Sequence, residues 1–332
     1  MEEQIVSAAT AGDEAAFTQL VERYRGELQV HAYRMLGSLD DAQDAVQEAF
    51  LRAWKGRATY RRQSTFRAWL YRIVTNACLR ILERRPRRLV PYDAGPAAEL
   101  GAHPLAAADL PWLQPYPDLL LDESLEPGDV VVARETIELA FLAAIQHLPP
   151  RQRAVLILRD ALEWSAPETA SVLEMSVAAV NSALQRARAT MKERLPAARD
   201  EWATSAVAEH WERSLLQTYM EAWERKDVSG LVALLREDVR MAMPPSPTWF
   251  EGLEAVAEFL TDRALAAEAQ AHRLVPTRAN RQPAFGVYLG DGADARPFAI
   301  HVVGIESGSV VDLHFFVYPE LFPAFGLPDT LR

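Results

Sequence analysis

The chain has 332 residues, 49% hydrophobic and 24% charged, with a formal net charge of −11. At roughly 100–200 residues per domain, this length predicts two or three domains, and the composition excludes a wholly disordered chain. As an average, the negative charge argues against a nucleic-acid binder, which usually carries a basic footprint.

One cysteine, Cys78, excludes an intrachain disulfide and a Cys-rich zinc site. The chain starts MEEQ, without the basic and apolar regions of a signal peptide, and it carries no 18-residue apolar run. A soluble cytoplasmic protein without membrane contact is expected. The basic residues are 32 Arg and 3 Lys. Arg suits bidentate phosphate contacts, but a GC-rich genome is the simpler reason for the excess.

Charge divides the chain into four parts. Residues 1–88 carry a net +4, and within them 58–88 carry +8. Residues 89–134 carry −7 and seven prolines, which forbid long helices, so this is an acidic, Pro-rich linker. Residues 135–200 are neutral and 201–332 carry −8. The acidity therefore sits in the linker and the C-terminal third.

The first part reads as helix. Phe17, Leu20, Val21 and Tyr24 follow a helical spacing. Ser38 reads as an N-cap, with Asp40 and Asp41 in the first turn of a helix that ends near Gly56. Val46, Ala49, Phe50, Ala53 and Trp54 form its apolar stripe; Asp41, Asp44, Gln47 and Glu48 lie off it. A basic loop with one aromatic, RATYRRQS, precedes a helix over about 64–85. Phe66, Trp69, Leu70, Ile73, Val74, Ala77 and Ile81 make its buried face, and Arg67, Tyr71, Arg72, Thr75, Asn76 and Arg80 project elsewhere. A cationic surface with interleaved aromatics suits a single strand, because bases stack on aromatic faces.

The third part predicts helices over 138–147 and about 150–162, then a short helix opened by the capping box Ser165–Glu168. A longer helix capped by Ser176 follows, to about Arg194. This is the pattern of a helix-turn-helix. Ser176, Val177, Asn181, Ser182, Gln185, Arg186 and Arg188 would lie near DNA. Asn and Gln can read adenine and Arg can read guanine. An ordinary helical hairpin is the plainer alternative.

The last part predicts helices at about 203–225, 228–236 and 251–268, and strands at 238–243, 272–280, 284–289, 298–305 and 309–317. Helices followed by a run of antiparallel strands mean an α+β fold. Asp312 and His314 share one face of the last strand, and His301 lies on its neighbour. Such a set can do acid/base work, but alternating polar residues usually face water, and a fold does not imply chemistry.

Taken together, SLDDAQDAVQEAFLRAW (38–54), FRAWLYRIVTNACL (66–79) and the segment 148–191 resemble the sigma-70 family in its extracytoplasmic-function (ECF) branch. The order and spacing match, and 89–134 leaves no room for a region 1.1 or region 3 globule. The resemblance implies two all-α domains: region 2 at 1–88 and a region 4 helix-turn-helix at 135–200. It implies that Asp41, Asp44, Gln47 and Glu48 dock on the β′ clamp helices of core RNA polymerase, with region 4 at the β flap. It implies that Tyr60, Arg61, Arg62, Ser64, Arg67, Arg72, Asn76 and Arg80 melt and read a promoter −10 element, with a flipped base in the Tyr60–Ser64 loop. Residues 176–188 would read the −35 element. The turn at Glu174–Met175 lacks the glycine often found there, and a left-handed non-glycine costs roughly 1 kcal/mol.

Residues 201–332 resemble the SnoaL-like α+β cone fold, on the helix around Tyr219–Trp223, the Trp249–Gly252 turn and the closing FFVYPELFPAFGLP. In that fold the cone mouth often holds a small molecule. The candidate pocket residues here are Trp223, Trp249, His301, Asp312 and His314. No catalytic residue, metal or cofactor is assigned. The expected role of this part is regulatory. The aromatic strip WLQPYPDLLLD (112–122) inside the linker reads as its docking segment. A free-standing helix-turn-helix repressor, and an enzyme delivered by its N-terminal domains, remain the alternatives.

Overall fold

The computed structural model describes residues 2–60, 64–84, 87–121, 137–195 and 206–331. The chain forms two compact units. One joins Met1–Arg88 to Leu120–Ala197; the other joins Leu89–Leu119 to Ala198–Arg332.

The described residues of the first unit are helical. Its N-terminal half holds α1 (Glu2–Ala11), α2 (Glu14–Leu36), α3 (Leu39–Gly56) and α4 (Phe66–Arg84). Ser38 caps α3 as expected, its hydroxyl accepting from the Asp41 N–H at 3.2 Å. Such a cap is worth about 1 kcal/mol. Gly37, at φ 66°, ends α2 in the left-handed region and turns the chain into α3. The predicted stripes of α2 and α3 are buried, except that Trp54 is half-buried. In α4 the stripe is narrower than its spacing suggests. Phe66, Leu70, Val74 and Ala77 are buried, but Trp69 and Ile73 are half-buried and line a surface groove.

After α4, the one-turn helix α5 (Pro91–Ala94) belongs to the second unit. The first unit resumes with α6 (Leu139–Ile145) and α7 (Pro150–Leu156), which runs on into a π-helical turn, Ile157–Ala161. Then come α8 (Ala166–Leu173) and α9 (Val177–Arg194). The capping box forms as read: the Glu168 N–H donates to the Ser165 hydroxyl at 3.3 Å, and the Ser165 N–H to the Glu168 carboxylate at 2.9 Å. Glu174 takes the left-handed cap position at φ 53° in place of glycine. Buried Arg153 ties α7 to the end of α2. It donates to the Gln146 side-chain oxygen at 2.7 Å and to the carbonyl of Met35.

The second unit holds α10 (Ala206–Glu224), α11 (Val228–Val232) and α12 (Leu253–Phe259). These accompany six strands: β1 (Leu235–Ala242), β2 (Trp249–Glu251), β3 (His272–Ala279), β4 (Gln282–Leu289), β5 (Arg296–Glu306) and β6 (Ser309–Phe316). The order across the sheet is β2-β1-β6-β5-β4-β3. Two local expectations are corrected. The pair β1–β6 is parallel, whereas a purely antiparallel run was expected. A parallel pair needs a long crossover, and the chain from 243 to 308 supplies it. Residues 249–251 form an edge strand on β1, not merely a turn.

One face of the sheet carries the core. Tyr219 and Trp223 of α10 pack there with Met241, Phe285, Val303, Leu313 and Phe315. Segment 89–119 is fastened to this unit as a strap, although its proline content reads as a tether. The Tyr116 N–H donates to the Asn280 side chain at 2.9 Å, and the Asn280 N–H returns the bond to the Tyr116 carbonyl at 2.9 Å. The Asp118 carboxylate accepts from the Arg281 N–H at 2.8 Å. Asn280 and Arg281 both have positive φ in the two-residue β3–β4 turn, so the strap grips a tight hairpin tip. Trp112, Leu113 and Tyr116 of the aromatic strip are buried; its last residue, Asp122, lies outside the described residues.

Candidate functional site

On α3, Asp44, Gln47 and Glu48 are exposed and share one helix face. Asp41 does not join them. It is buried and ion-paired with Arg88. Leu51 does join them, three residues after Glu48, and is 58% exposed. Sequence reasoning missed it, although its position off the apolar stripe was the available signal.

The groove has a volume of about 620 Å³. Tyr60, Ser64, Arg72, Asn76 and Arg80 all line it, so five of the expected −10 residues are brought together. Arg61 and Arg62 lie outside the described residues. Trp69, read first as core, adds an aromatic wall: its ring lies 5.5 Å from Tyr60 and 5.3 Å from Phe66. The Tyr60 hydroxyl donates to the Ser64 carbonyl at 2.8 Å. A concave patch with two aromatics, an amide and several guanidinium groups can stack a base and hold phosphates.

Arg67 is elsewhere. Its guanidinium meets Glu27 at 2.6 Å and lies over the Tyr71 ring at 5.1 Å. Arg72 is engaged as well, 2.5 Å from the Glu174 carboxylate at the helix-turn-helix turn.

On α9, Val180, Ala183, Leu184, Ala187 and Met191 are buried. The opposite arc presents Val177, Asn181, Ser182, Gln185, Arg186 and Arg188 to solvent. Ser176 spends its hydroxyl on the cap, accepting from the Ala179 N–H at 3.1 Å. Arg188 pairs with Asp160 at 2.7 Å.

The five candidate pocket residues of the second unit do not share a cavity. His301 opposes Phe315 across β5–β6, on the core face. There it meets the Tyr219 hydroxyl at 2.7 Å, near Trp223, with its ring stacked 3.8 Å from Phe315. Burial lowers its pKa to about 3, so the imidazole is neutral. Asp312, His314 and Trp249 lie on the opposite face, where β1 pairs Ala242 with both Trp249 and His314. Burial lowers the His314 pKa too.

Comparison with known proteins follows the same division. A model of sigma-70 region 2 matches residues 20–88, a model of sigma-70 region 4 matches 138–191, and a model of the SnoaL-like domain matches 216–310. An α-helical region 2, a helix-turn-helix region 4 and a mixed C-terminal domain define a sigma-70-type transcription initiation factor. The ECF RNA polymerase sigma factor SigG of Mycobacterium tuberculosis is 41% identical over 96% of this chain and 85% of its own length. SigW of Bacillus subtilis is 31% identical over 55% of this chain and 91% of its own. The crystal structure of the M. tuberculosis ECF sigma factor SigJ superposes with a TM-score of 0.57 at 23% identity, covering 94% of this chain and 99% of that one. The chain belongs to the ECF sigma factors and carries a C-terminal SnoaL-like domain. Its function is promoter-specific transcription initiation, and its partners are core RNA polymerase and promoter DNA. Among the described residues no helix is long and apolar enough to cross a membrane.

Proposed function

We propose that the groove beneath Tyr60 captures a base flipped from the −10 element, and that this capture opens the promoter. Tyr60 and Trp69 supply stacking surface, Asn76 hydrogen bonds, and Arg72 and Arg80 charge toward phosphates. Unstacking a base costs a few kcal/mol, and stacking on an aromatic returns about 1–3 kcal/mol. The exposed arc of α9 reads the −35 element in the major groove, with region 4 at the β flap. Asp44, Gln47 and Glu48 dock on the β′ clamp helices, in the cytoplasm and away from any membrane. The observation that carries this reading is the shared groove of Tyr60, Trp69, Arg72, Asn76 and Arg80. Run-off transcription with core polymerase tests it: Tyr60→Ala and Asn76→Ala should lower initiation at least tenfold, and unchanged initiation in both contradicts it.

The SnoaL-like domain regulates and does not catalyse. Two features favour this over an enzyme. The Tyr219–His301 pair is sealed in the core, and both of its residues are 0% exposed. The other polar residues lie beneath the strap that joins regions 2 and 4. A domain that holds this connection restrains part of the chain between the two DNA-reading regions. Loosening the strap by Tyr116→Ala should change run-off yield; an unchanged yield with a demonstrably loosened strap contradicts regulation through it.

A further inference from the structure

Helix α3 carries more than the acidic face. Asp44, Glu48 and Arg52 recur every four residues, so they lie along one stripe of the helix. The far end of that stripe enters the groove, where Arg52 and Gly56 line it. Trp69, Arg72, Asn76 and Arg80 line it from α4. Two helices therefore each present guanidinium charge to the same groove. Arg52 is not among the residues that the sequence assigns to the −10 element.

Arg52 is engaged elsewhere. Its guanidinium pairs with the Glu48 carboxylate one turn earlier. Glutamate four residues before a cation is the favourable order on a helix. The side chains are 44% and 47% exposed, so water screens the pair, and it restrains Arg52 by only about a factor of two. Of the other two guanidinium groups, Arg72 is held by Glu174, and the Arg80 Nη2 is buried with no hydrogen-bond partner among the described residues. The groove thus holds donors that a phosphate oxygen would satisfy, and its α3 donor is tied to a residue of the acidic face.

We propose that Arg52 contacts the phosphate backbone of the melted −10 strand, and that Glu48 withholds it until core polymerase engages the acidic face of α3. This rests on the groove and docking roles given above. A polymerase group that takes the Glu48 carboxylate removes it from Arg52, and the guanidinium then turns to the strand. Docking and strand capture are coupled through one carboxylate. By reciprocity, a strand bound at Arg52 releases Glu48 to polymerase to the same extent.

The probe is a fluorescent single-stranded oligonucleotide carrying the non-template −10 sequence of a promoter that the wild-type chain selects. Anisotropy measures its affinity for the full-length chain, alone and with saturating core polymerase, over a range of salt. With polymerase, Arg52→Gln should weaken binding several-fold. It should also flatten the slope of log affinity against log salt by about 0.7, the value for one phosphate contact on a single strand. Arg52→Lys, which keeps the charge, should keep the slope. An unchanged slope in Arg52→Gln overturns the contact.

Without polymerase, at low salt, Glu48→Gln should tighten binding about twofold. The gain should vanish in the Arg52→Gln background and when polymerase is bound. No gain, or an equal gain in either of those settings, overturns the coupling, because an equal gain reports only the loss of a negative charge. Tyr60→Ala separates this inference from the groove reading. If Tyr60→Ala weakens binding and Arg52→Gln does not, the groove stands and the Arg52 contact falls. If neither has an effect, both fall.

Discussion

Arg72 of the −10 groove forms an ion pair, 2.5 Å long, with Glu174 at the left-handed turn of the helix-turn-helix. One residue thus combines backbone strain with a restraint on a DNA-facing guanidinium. Both side chains are substantially exposed, 49% and 65%, so the pair itself is worth at most about 1 kcal/mol. Glu174→Gln, which keeps the strain and loses the charge, should leave thermal stability almost unchanged. Glu174→Gly should be neutral to about 1 kcal/mol more stable, since glycine takes positive φ freely. Glu174→Val should be less stable than Glu174→Gln by about 1–2 kcal/mol. Thermal melts of the three variants check the order.

The acidic face of α3 divides by burial. Asp41→Ala should destabilise the first unit by about 1–3 kcal/mol in urea titration, because it strands Arg88 in a half-buried site. Asp44→Ala and Glu48→Ala should leave stability within about 0.5 kcal/mol, as exposed substitutions do. Leu51→Asp should likewise fold and should bind core polymerase more weakly, by roughly tenfold, since truncating a buried contact costs a kcal/mol or more. Fluorescence anisotropy with core polymerase separates the two groups.

Tyr116 is the strap's largest fully buried side chain. Removing a buried aromatic costs about 3–5 kcal/mol. Tyr116→Ala should make 89–119 the first segment cut in limited proteolysis. Cleavage elsewhere first, at wild-type rates, would show that the strap is held by other contacts.

His301 has a folded-state pKa of about 3, lowered by burial from an ordinary 6.5. The unfolded chain therefore binds more protons between these values, and stability falls as pH drops through that window. The limiting slope is about 1.4 kcal/mol per pH unit for one such group. His301→Gln should flatten the acid limb of a stability–pH curve for the second unit by about that slope between pH 6 and 4. An unchanged slope means that His301 titrates normally.

Local signals in the sequence carried the first unit well. The caps at Ser38, Ser165 and Ser176 were legible because donor and acceptor lie three residues apart. Asp41 was not, because its partner Arg88 is 47 residues away and nothing local marks the pair. Arg67 was misplaced for the same reason: helical spacing put it off the core stripe, but Glu27 of another helix claims it. In the second unit the alternation of β5 and β6 was visible. The faces were not, since register decides which residues stand opposite, and a shift at Gly304–Ile305 interrupts it. The prolines of 89–119 correctly forbade long helices, and the aromatics among them were the sign that the segment is packed.

The central claim is tested most directly by run-off transcription on two templates, using a promoter that the wild-type chain selects with purified core polymerase. One template is fully duplex; the other is already unpaired across the −10 element. The wild-type chain should initiate on both. Tyr60→Ala should fail on the duplex and recover on the unpaired template, because the lost step is capture of a flipped base. Equal initiation by wild type and Tyr60→Ala on the duplex, or no initiation by the wild-type chain on either template, would contradict the account.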